Sequence, residues 1–266
     1  MADNYRELMQ TAADAAKEAG DWLLQRFGGA IQTDPKGRDS VVTSLDLDAE
    51  RMIRERIGSR YPKHTLIGEE FTPNVSAGEC SWAIDPIDGT RNFAAGIPLW
   101  AVSVAALEHG SPVAGVAYLP VTGELFQTAR GHGAWLGEER LHVSRTATLA
   151  DSVVMTDLLS QAYPQGLPAT VFAGLIAASR RTRMLGSVCC SVCYVAAGRF
   201  DLYYRPQVNV WDVAAAVLLV REAGGEVRSF EGEEWQADTN SILAANPALV
   251  EQFLAEKDRL MRGAQA

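Results

Sequence analysis

The chain has 266 residues, of which 47% are hydrophobic and 21% charged, and its formal net charge is −9. This composition is typical of a globular protein and excludes a disordered or fibrous chain. The acidic balance argues against a nucleic-acid-binding protein, because such proteins present basic surfaces. An acidic excess is compatible with carboxylates that hold bound cations.

The sequence shows no sign of a secretory or membrane segment. Its first ten residues, MADNYRELMQ, are polar and lack the apolar core of a signal peptide. The longest apolar runs, near residues 99–107 and 213–220, are too short to cross a bilayer. Three of the four cysteines lie within residues 189–193 with no histidine nearby, which predicts reduced, buried thiols and not a zinc site. We therefore expect a soluble cytoplasmic protein.

Hydrophobic periodicity predicts the elements in chain order. Helices are expected at 4–27 and 44–59, and short strands follow at 64–68 and 81–84. Between residues 99 and 143, apolar runs alternate with turn signals, which predicts a meander of antiparallel strands. In the second half, strands at 153–156, 200–204 and 241–245 alternate with helices at 168–179, 188–197 and 212–223 and with a last helix from Pro247. This mixture indicates a layered α/β or α+β fold.

The segment 81–93, SWAIDPIDGTRNF, combines two carboxylates with a candidate anion-binding turn. An apolar strand is expected to deliver Asp85 at its carboxyl end, and Asp88 follows on the stiff turn made by Pro86. Two carboxylates so close together repel unless a cation lies between them, and a hard cation such as Mg²⁺ prefers oxygen ligands. The backbone amides of Gly89 and Thr90 precede a short predicted helix, an arrangement that binds anions. A plain surface turn is the alternative.

Three further acidic sites, with four carboxylates between them, accompany this segment. Glu69 and Glu70 follow another predicted strand, Asp212 opens an apolar helix after Trp211, and Asp46 lies near the start of the second helix. Each has an ordinary structural alternative: solvated glutamates, a helix N-cap, or a first-turn carboxylate.

Taken together, these motifs resemble the inositol monophosphatase family, which is grouped with fructose-1,6-bisphosphatases and phosphoadenosine nucleotide phosphatases. Residues 85–90 (DPIDGT) and 211–215 (WDVAA) match the two family signatures. Residues 68–70 (GEE) and 42–46 (VTSLD) occur in the expected order, and the resemblance runs from the first helix to about Glu251. It implies an α/β/α/β/α sandwich forming one catalytic unit over residues 1–266, with approximate subdomains 1–145 for the metal site and 146–266 for the substrate pocket.

The resemblance also implies residue roles. Glu69, Asp85 and the carbonyl of Ile87 would hold one Mg²⁺, and Asp85, Asp88 and Asp212 a second, with Glu69 helping to bind a third ion through water. Asp46 and Thr90 would orient the attacking water, which makes them catalytic together with Glu69. Phosphate would be bound by Asp88, Gly89 and Thr90, and the rest of the substrate by Gly186, Ser187, Arg205 and Asp212. A homodimer inhibited by lithium is implied as well.

Two arginines depart from the pattern of the inositol-phosphate branch. Arg205 follows Tyr203 and Tyr204, where the family carries an acidic residue that binds a substrate hydroxyl. An arginine offers a donor fork that suits a carboxylate or a second phosphate; the alternative is a side chain that points to solvent. Arg91 stands where the inositol-phosphate branch carries threonine, and it is more similar to histidinol-phosphatase-like and phosphoadenosine-phosphatase-like relatives. Residues 96–100 (GIPLW) are more similar to the histidinol-phosphatase branch.

The function expected from the sequence is Mg²⁺-dependent hydrolysis of a small phosphate monoester by direct attack of water. Inositol monophosphate or a related sugar or polyol phosphate ranks first as substrate. Histidinol phosphate, fructose 1,6-bisphosphate and a 3′-phosphonucleotide are the alternatives. A non-catalytic protein that binds metal and phosphate is a more remote hypothesis. Neither a nucleic-acid nor a membrane partner is expected.

Overall fold

The computed structural model describes residues 2–29, 33–35, 41–71, 79–157 and 169–264. The helices are α1 (Ala2–Leu24), α2 (Ser44–Arg60), α3 (Thr90–Ala94), α4 (Ala169–Ala177), α5 (Val188–Ala196), α6 (Val210–Glu222) and α7 (Pro247–Ala264), with a 3-10 helix at Leu149–Asp151. The strands are β1 (Thr33–Pro35), β2 (Val41–Thr43), β3 (Thr65–Gly68), β4 (Cys80–Asp88), β5 (Ala101–Glu108), β6 (Ser111–Leu119), β7 (Glu124–Ala129), β8 (Ala134–Leu136), β9 (Glu139–Arg140), β10 (Val153–Met155), β11 (Arg181–Arg183), β12 (Leu202–Arg205), β13 (Glu226–Arg228) and β14 (Ile242–Ala245).

A seven-stranded sheet carries Asp85 and Asp88, two of the candidate metal ligands, on its strand β4. Its strands lie in the order β3-β4-β5-β6-β7-β8-β9. β3 pairs with β4 in parallel, and every later neighbour is antiparallel. The meander expected between residues 99 and 143 is therefore confirmed as β5 to β9. Because β3 and β4 are parallel neighbours, their carboxyl ends meet at one edge of the sheet.

A second, five-stranded sheet has the order β11-β10-β12-β14-β13. β10 is parallel to both β11 and β12, whereas β14 is antiparallel to β12 and β13. β11 and β13 are absent from the sequence prediction. β11 reads Arg-Thr-Arg, so it carries no apolar residue that could signal a strand.

Helices cover both sheets in alternating layers. α1 and α2 pack on one face of the seven-stranded sheet, and α5 and α6 lie between that sheet and the five-stranded one. α4 and α7 pack together and cover the outer side of the five-stranded sheet. Three clusters of buried apolar residues fill the spaces between these layers. One lies between α1, α2 and the seven-stranded sheet, one surrounds α5 and α6 and contacts both sheets, and one lies between the five-stranded sheet and α4 and α7. The predicted α/β/α/β/α sandwich is confirmed.

The buried layer formed by α5 accounts for the clustered thiols. Cys189, Cys190 and Cys193 are free and buried in this helix, and Cys80 is free at the start of β4. For the three thiols of α5, the expected burial without a disulfide is confirmed. Among the described residues, no helix is both long enough and apolar enough to cross a bilayer. Pro168, included in the predicted helix 168–179, lies outside the described residues, and α4 begins at Ala169.

Candidate active site

Buried carboxylates gather where β4 ends against α2 and α5. Asp46 on α2 is 0% exposed, Asp85 is 1% exposed and Asp88 is 5% exposed. Aspartate is almost never buried to this degree unless a partner compensates its charge. The partners of each carboxylate therefore indicate what this site can bind.

Asp85 does not end its strand, contrary to the expectation from the sequence. β4 continues to Asp88, and its pairing with β5 shifts register between these two residues. The backbone N–H of Ile87 donates to Oδ1 of Asp85 over 3.0 Å, which stabilises the irregular segment around Pro86. A bulge of this kind re-aims side chains at a sheet edge. It brings both aspartates to the same site.

Asp88 connects β4 to the first turn of α5. Its Oδ2 accepts hydrogen bonds from the Ser187 hydroxyl and from the N–H of Cys189 at 2.9 Å, and its Oδ1 accepts from the N–H of Val188 at 3.1 Å. Ser187 is the N-cap of α5 and accepts the N–H of Cys190. The Ser187 side chain is thus buried beside Asp88, and its contact with a substrate stays a prediction.

Thr90, the first residue of α3, lies beside Asp46 of α2. Its Oγ1 is 3.3 Å from Oδ1 of Asp46 and 3.0 Å from the carbonyl oxygen of Ile87. Both neighbours are acceptors, so the single hydroxyl proton serves one of them at a time. In either case the lone pairs of Thr90 Oγ1 can accept a hydrogen bond from a water molecule.

Gly89 makes the turn between Asp88 and Thr90 possible. Its φ is +88°, and it is the N-cap of α3. A Cβ at this position would lie 3.0 Å from the carbonyl oxygen of Leu99 and 3.1 Å from the Cβ of Ser187. Both the left-handed backbone and the lack of space require glycine.

Glu69 reaches the site from the end of the neighbouring strand. Its backbone N–H donates to the carbonyl oxygen of Ile84 over 3.2 Å, which extends the β3–β4 pairing by one residue. The side chain is partly exposed. Its charge raises the pKa of Asp85, so the two carboxylates are electrostatic neighbours.

Asp212 lies in the first turn of α6, but it is not the helix N-cap. That alternative is wrong, because α6 begins at Val210 and its N-cap is Asn209. Asp212 is the third helical residue, and its Oδ2 accepts the backbone N–H of Asn209 at 2.9 Å and the Asn209 side-chain amide at 3.3 Å. The Asn209 side chain in turn accepts the backbone N–H of Asp212, and this reciprocal arrangement is a capping box. It orients Asp212 without occupying its second oxygen.

The electrostatics of the cluster favour a cation. Burial raises the pKa of Asp85 well above its usual range, and the charges of Glu69, Asp88 and Asp212 raise it further. Burial raises the pKa of Asp88 to about 7, against the opposing effect of its hydrogen bond from Ser187. Burial also raises the pKa of Asp212, although the hydrogen bonds from Asn209 and the charge of Arg205 oppose it. Proximity of several acids in a low dielectric disfavours their ionisation unless positive charge is supplied.

The donor set fits a hard divalent cation, although the side chains are not arranged around one. None of the ion pairs between described residues includes Asp85 or Asp88, and carboxylate and carbonyl oxygens are ligands for Mg²⁺. Within the described ranges, no group of three or more His, Cys, Asp or Glu stands ready to hold one ion. Oxygens of Asp88 accept hydrogen bonds from backbone amides of α5, and an oxygen of Asp212 accepts the backbone N–H of Asn209.

Arg205, at the end of β12, is partly buried and interacts electrostatically with Asp212 of the acidic cluster, and its contact with a substrate stays a prediction. Burial lowers the pKa of its guanidinium, but the neighbouring Tyr203, Asp212 and Asp157 more than offset that effect, so the net shift is upward.

Asp157 is a residue of this region that sequence reasoning did not predict. It accepts the N–H of Gly186 at 2.8 Å and the Tyr203 hydroxyl at 3.2 Å. The sequence could have indicated this residue, because it is a carboxylate that directly follows the predicted strand 153–156.

Asn92 is a second residue that sequence reasoning missed. It is 8% exposed, and its amide nitrogen donates to the carbonyl oxygens of Leu99, at 2.6 Å, and Leu185, at 2.7 Å. It therefore ties α3 to the segment that carries Gly186. Arg91, by contrast, has an exposed side chain on α3, and its contact with a substrate stays a prediction.

Comparison with known proteins gives the same result along nearly the whole chain. The model of the "Inositol monophosphatase family" matches residues 4–262. A Pasteurella multocida protein named "Nus factor SuhB" is 36% identical over 251 residues, covering 93% of this chain and 94% of that protein. An "Inositol monophosphatase" from Mesembryanthemum crystallinum is 34% identical over 255 residues, with the same coverage of 93% and 94%.

A solved structure agrees with the fold. The extragenic suppressor protein suhB from Bartonella henselae is 32% identical and superposes with a TM-score of 0.89, covering 95% of this chain and 99% of that one. The ordered motifs, the layered sandwich and the match over residues 4–262 lead to one assignment. This chain belongs to the inositol monophosphatase family, a family of phosphoric monoester hydrolases.

Proposed function

We propose that this protein hydrolyses a small phosphate monoester with the help of bound Mg²⁺. The observation that carries the proposal is the meeting of Asp85, Asp88, Asp212 and Glu69 in one electrostatic cluster beside the Thr90–Asp46 pair. A cluster of buried acids is unfavourable by itself. It becomes useful when cations neutralise it and attract an anionic substrate.

Glu69, Asp85 and the carbonyl of Ile87 would hold one ion, and Asp85, Asp88 and Asp212 a second. A third, weaker ion near Glu69 belongs to the same proposal. Bound Mg²⁺ supplies positive charge that offsets the charge of the phosphoryl group, lowers the pKa of a water and stabilises the leaving oxygen. The bulge between Asp85 and Asp88 is the chain's contribution, because it directs two carboxylates toward one place.

Thr90 and Asp46 would orient the attacking water. When Thr90 donates its proton to Asp46, its Oγ1 accepts a hydrogen bond from the water and fixes the direction of the attack. The amides at Gly89 and Thr90, together with Asp88, would position the phosphate. Displacement is direct and in line, and it needs no covalent intermediate on the protein.

The preferred substrate is proposed to be inositol monophosphate or a related sugar or polyol phosphate, as in the relatives that carry the name inositol monophosphatase. Gly186, Ser187, Arg205 and Asp212 would contact the alcohol part. Arg205 supports a substrate with additional negative charge, which keeps histidinol phosphate, fructose 1,6-bisphosphate and a 3′-phosphonucleotide as alternatives. Asp157 interacts electrostatically with Arg205, so part of the arginine charge is balanced within the protein.

Three further properties complete the proposal. Lithium would inhibit by taking a cation position, and the chain would act as a homodimer. A cytoplasmic location is supported by the four free cysteines, because disulfides are rare in that compartment. Each can be measured independently of the substrate.

The test is phosphate release from inositol 1-phosphate, histidinol phosphate, fructose 1,6-bisphosphate and phosphoadenosine phosphate, each with and without Mg²⁺. Mg²⁺-dependent turnover of one compound is expected, and a preference for a doubly anionic ester would support the role of Arg205. Mg²⁺-independent turnover would contradict the assignment of the carboxylate cluster. Lithium titration in the same assay tests the inhibition.

A non-catalytic role is the second candidate, because several relatives at about 36% identity are named Nus factor SuhB. A regulator that retains only metal and phosphate binding would bind both in calorimetry without releasing phosphate from any compound. The intact set of Asp46, Thr90 and the four acidic side chains favours turnover. The net charge of −9 disfavours direct binding to nucleic acid.

A further inference from the structure

We propose that Glu50 of α2 is a positioning residue that holds the segment after β3 in place and thereby directs Glu69 into the metal site. The inference rests on the proposed function of Glu69 as a metal ligand. It concerns a side chain that neither the sequence motifs nor the proposed mechanism uses.

Glu50 is buried at the base of this segment, with an exposure of 0%. Its Oε2 accepts the backbone N–H of Glu70 at 2.7 Å, and its Oε1 accepts that of Phe71 at 3.3 Å. The two amides are consecutive and directly follow Glu69. Charge-assisted hydrogen bonds of this kind are among the stronger ones in proteins.

Arg54, one turn later on α2, completes the arrangement. Its Nε donates to Oε1 of Glu50 over 2.6 Å, and its Nη2 donates to the carbonyl oxygen of Phe71 over 2.6 Å. Glu50 and Arg54 therefore engage both the N–H and the C=O of Phe71. We call these two side chains the α2 clamp.

Gly68 provides the space that the α2 clamp occupies. A Cβ on this residue would lie 2.1 Å from Oε1 of Glu50, far closer than atoms can approach. The glycine before Glu69 is thus explained by the passage of the Glu50 carboxylate. Because Gly68 also pairs with Ile84 of β4, the backbone on both sides of Glu69 is fixed.

The clamp and the water-orienting residue belong to one helix. Asp46 and Glu50 are four residues apart, so they project from the same face of α2. α2 therefore sets the position of Asp46 and, through Glu50, that of Glu69. A side chain that orients a metal ligand in this way changes metal affinity when it is removed, even though it touches no metal.

The test uses the full-length protein and the variants Glu50→Gln and Arg54→Met, with Glu55→Gln as matched control on the exposed face of α2. Glu50→Gln keeps the size but places an NH₂ group against one of the two N–H donors. Amide hydrogen exchange at residues 69–71 is measured in chelator-treated protein. Mg²⁺ affinity is measured by calorimetry with the metal alone, and global stability is followed by Tm.

In Glu50→Gln we expect exchange of the Glu70 and Phe71 amides to accelerate about tenfold and Mg²⁺ affinity to fall about tenfold, within the range for outer-shell partners of metal ligands. Arg54→Met should change both in the same direction and by less, and the control should match the wild type. Arg54 is partly exposed, so this variant keeps the test decisive should Glu50→Gln fail to fold.

Two results would overturn the inference. Unchanged exchange would show that the clamp does not hold this segment, and faster exchange with unchanged Mg²⁺ affinity would show that it does not position Glu69. A wild-type protein that binds no Mg²⁺ would refute the proposed function instead. In that case the exchange data would still report on the clamp.

Discussion

Thr90 Oγ1 lies 3.3 Å from Oδ1 of Asp46, although the two residues are 44 positions apart in the chain. The contact joins α2 to α3 at the point where β4 delivers Asp85 and Asp88. It places a hydroxyl and a carboxylate together at the edge of an acidic cluster. Under the proposed function, this pair would hold the nucleophilic water.

Thr90→Val should lower kcat while leaving Mg²⁺ affinity within about twofold of the wild type. The substitution preserves the shape of the side chain and removes the oxygen that would accept the water's hydrogen bond. A positioned proton-transfer group contributes about 10²–10⁴-fold to rate, and we expect a loss in that range. Steady-state phosphate release and calorimetric Mg²⁺ titration provide the two measurements.

Thr90→Ser should recover most of the activity, because it restores the hydroxyl. Thr122→Val, at an exposed turn, is the matched control and should behave as the wild type. Equal activity of the Thr90→Val and Thr90→Ser variants would remove Thr90 from the catalytic pair.

Asp88→Asn should lower turnover by several orders of magnitude and weaken Mg²⁺ binding, since it removes one charge from the cluster. The circular dichroism spectrum should keep its native form, because the remaining carbonyl oxygen still accepts from the first turn of α5. Asp48→Asn, on the exposed part of α2, is the control. Near-normal turnover in Asp88→Asn would refute the metal assignment.

Arg205→Glu should shift substrate preference toward neutral polyol phosphates. The substitution replaces a donor fork with a carboxylate that accepts hydrogen bonds from hydroxyl groups, beside Asp157 and Asp212. The measurement is the ratio of kcat/KM for inositol 1-phosphate to that for fructose 1,6-bisphosphate. Arg262→Glu, on the exposed end of α7, changes the net charge equally and should leave the ratio unchanged. The same ratio in both variants would place Arg205 outside the pocket.

The metal-free protein should lose stability as pH rises through about 7. Burial raises the pKa of Asp88 to about 7 and that of Asp85 well above its usual range, so the folded state favours their protonated forms. Such groups stabilise the fold below their unfolded pKa of about 4, and the contribution is lost as pH passes the folded value.

Mg²⁺ should reverse this trend, because the ionised carboxylates are the ligands and protons are released on binding. The measurement is Tm between about pH 5.5 and pH 8.5, with chelator and with saturating Mg²⁺. The difference between the two curves should widen with rising pH. A difference that is constant or narrows would show that these acids do not bind the ion.

The order of the elements and the family motifs could be read from the sequence. Periodicity alone located α1 over residues 4–27, against Ala2–Leu24 observed, and the meander that became β5 to β9. Such patterns are local, since an amphipathic helix or an alternating strand records in its own residues which face is buried. The acidic positions around residues 46, 69, 85, 88 and 212 were likewise visible as motifs.

Only the tertiary structure decided what those residues touch. The bulge that prolongs β4 to Asp88 and the electrostatic interaction of Asp157 with Arg205 both depend on segments that are distant in the chain. The same holds for Glu50, whose partners lie 20 and 21 residues away. The chain by itself determined the helices, most of the strands and the chemical groups of this protein, because local patterns encode burial. Packing determined which of those groups share a site, because a hydrogen bond or a charge interaction depends on distance in space and not on separation along the chain.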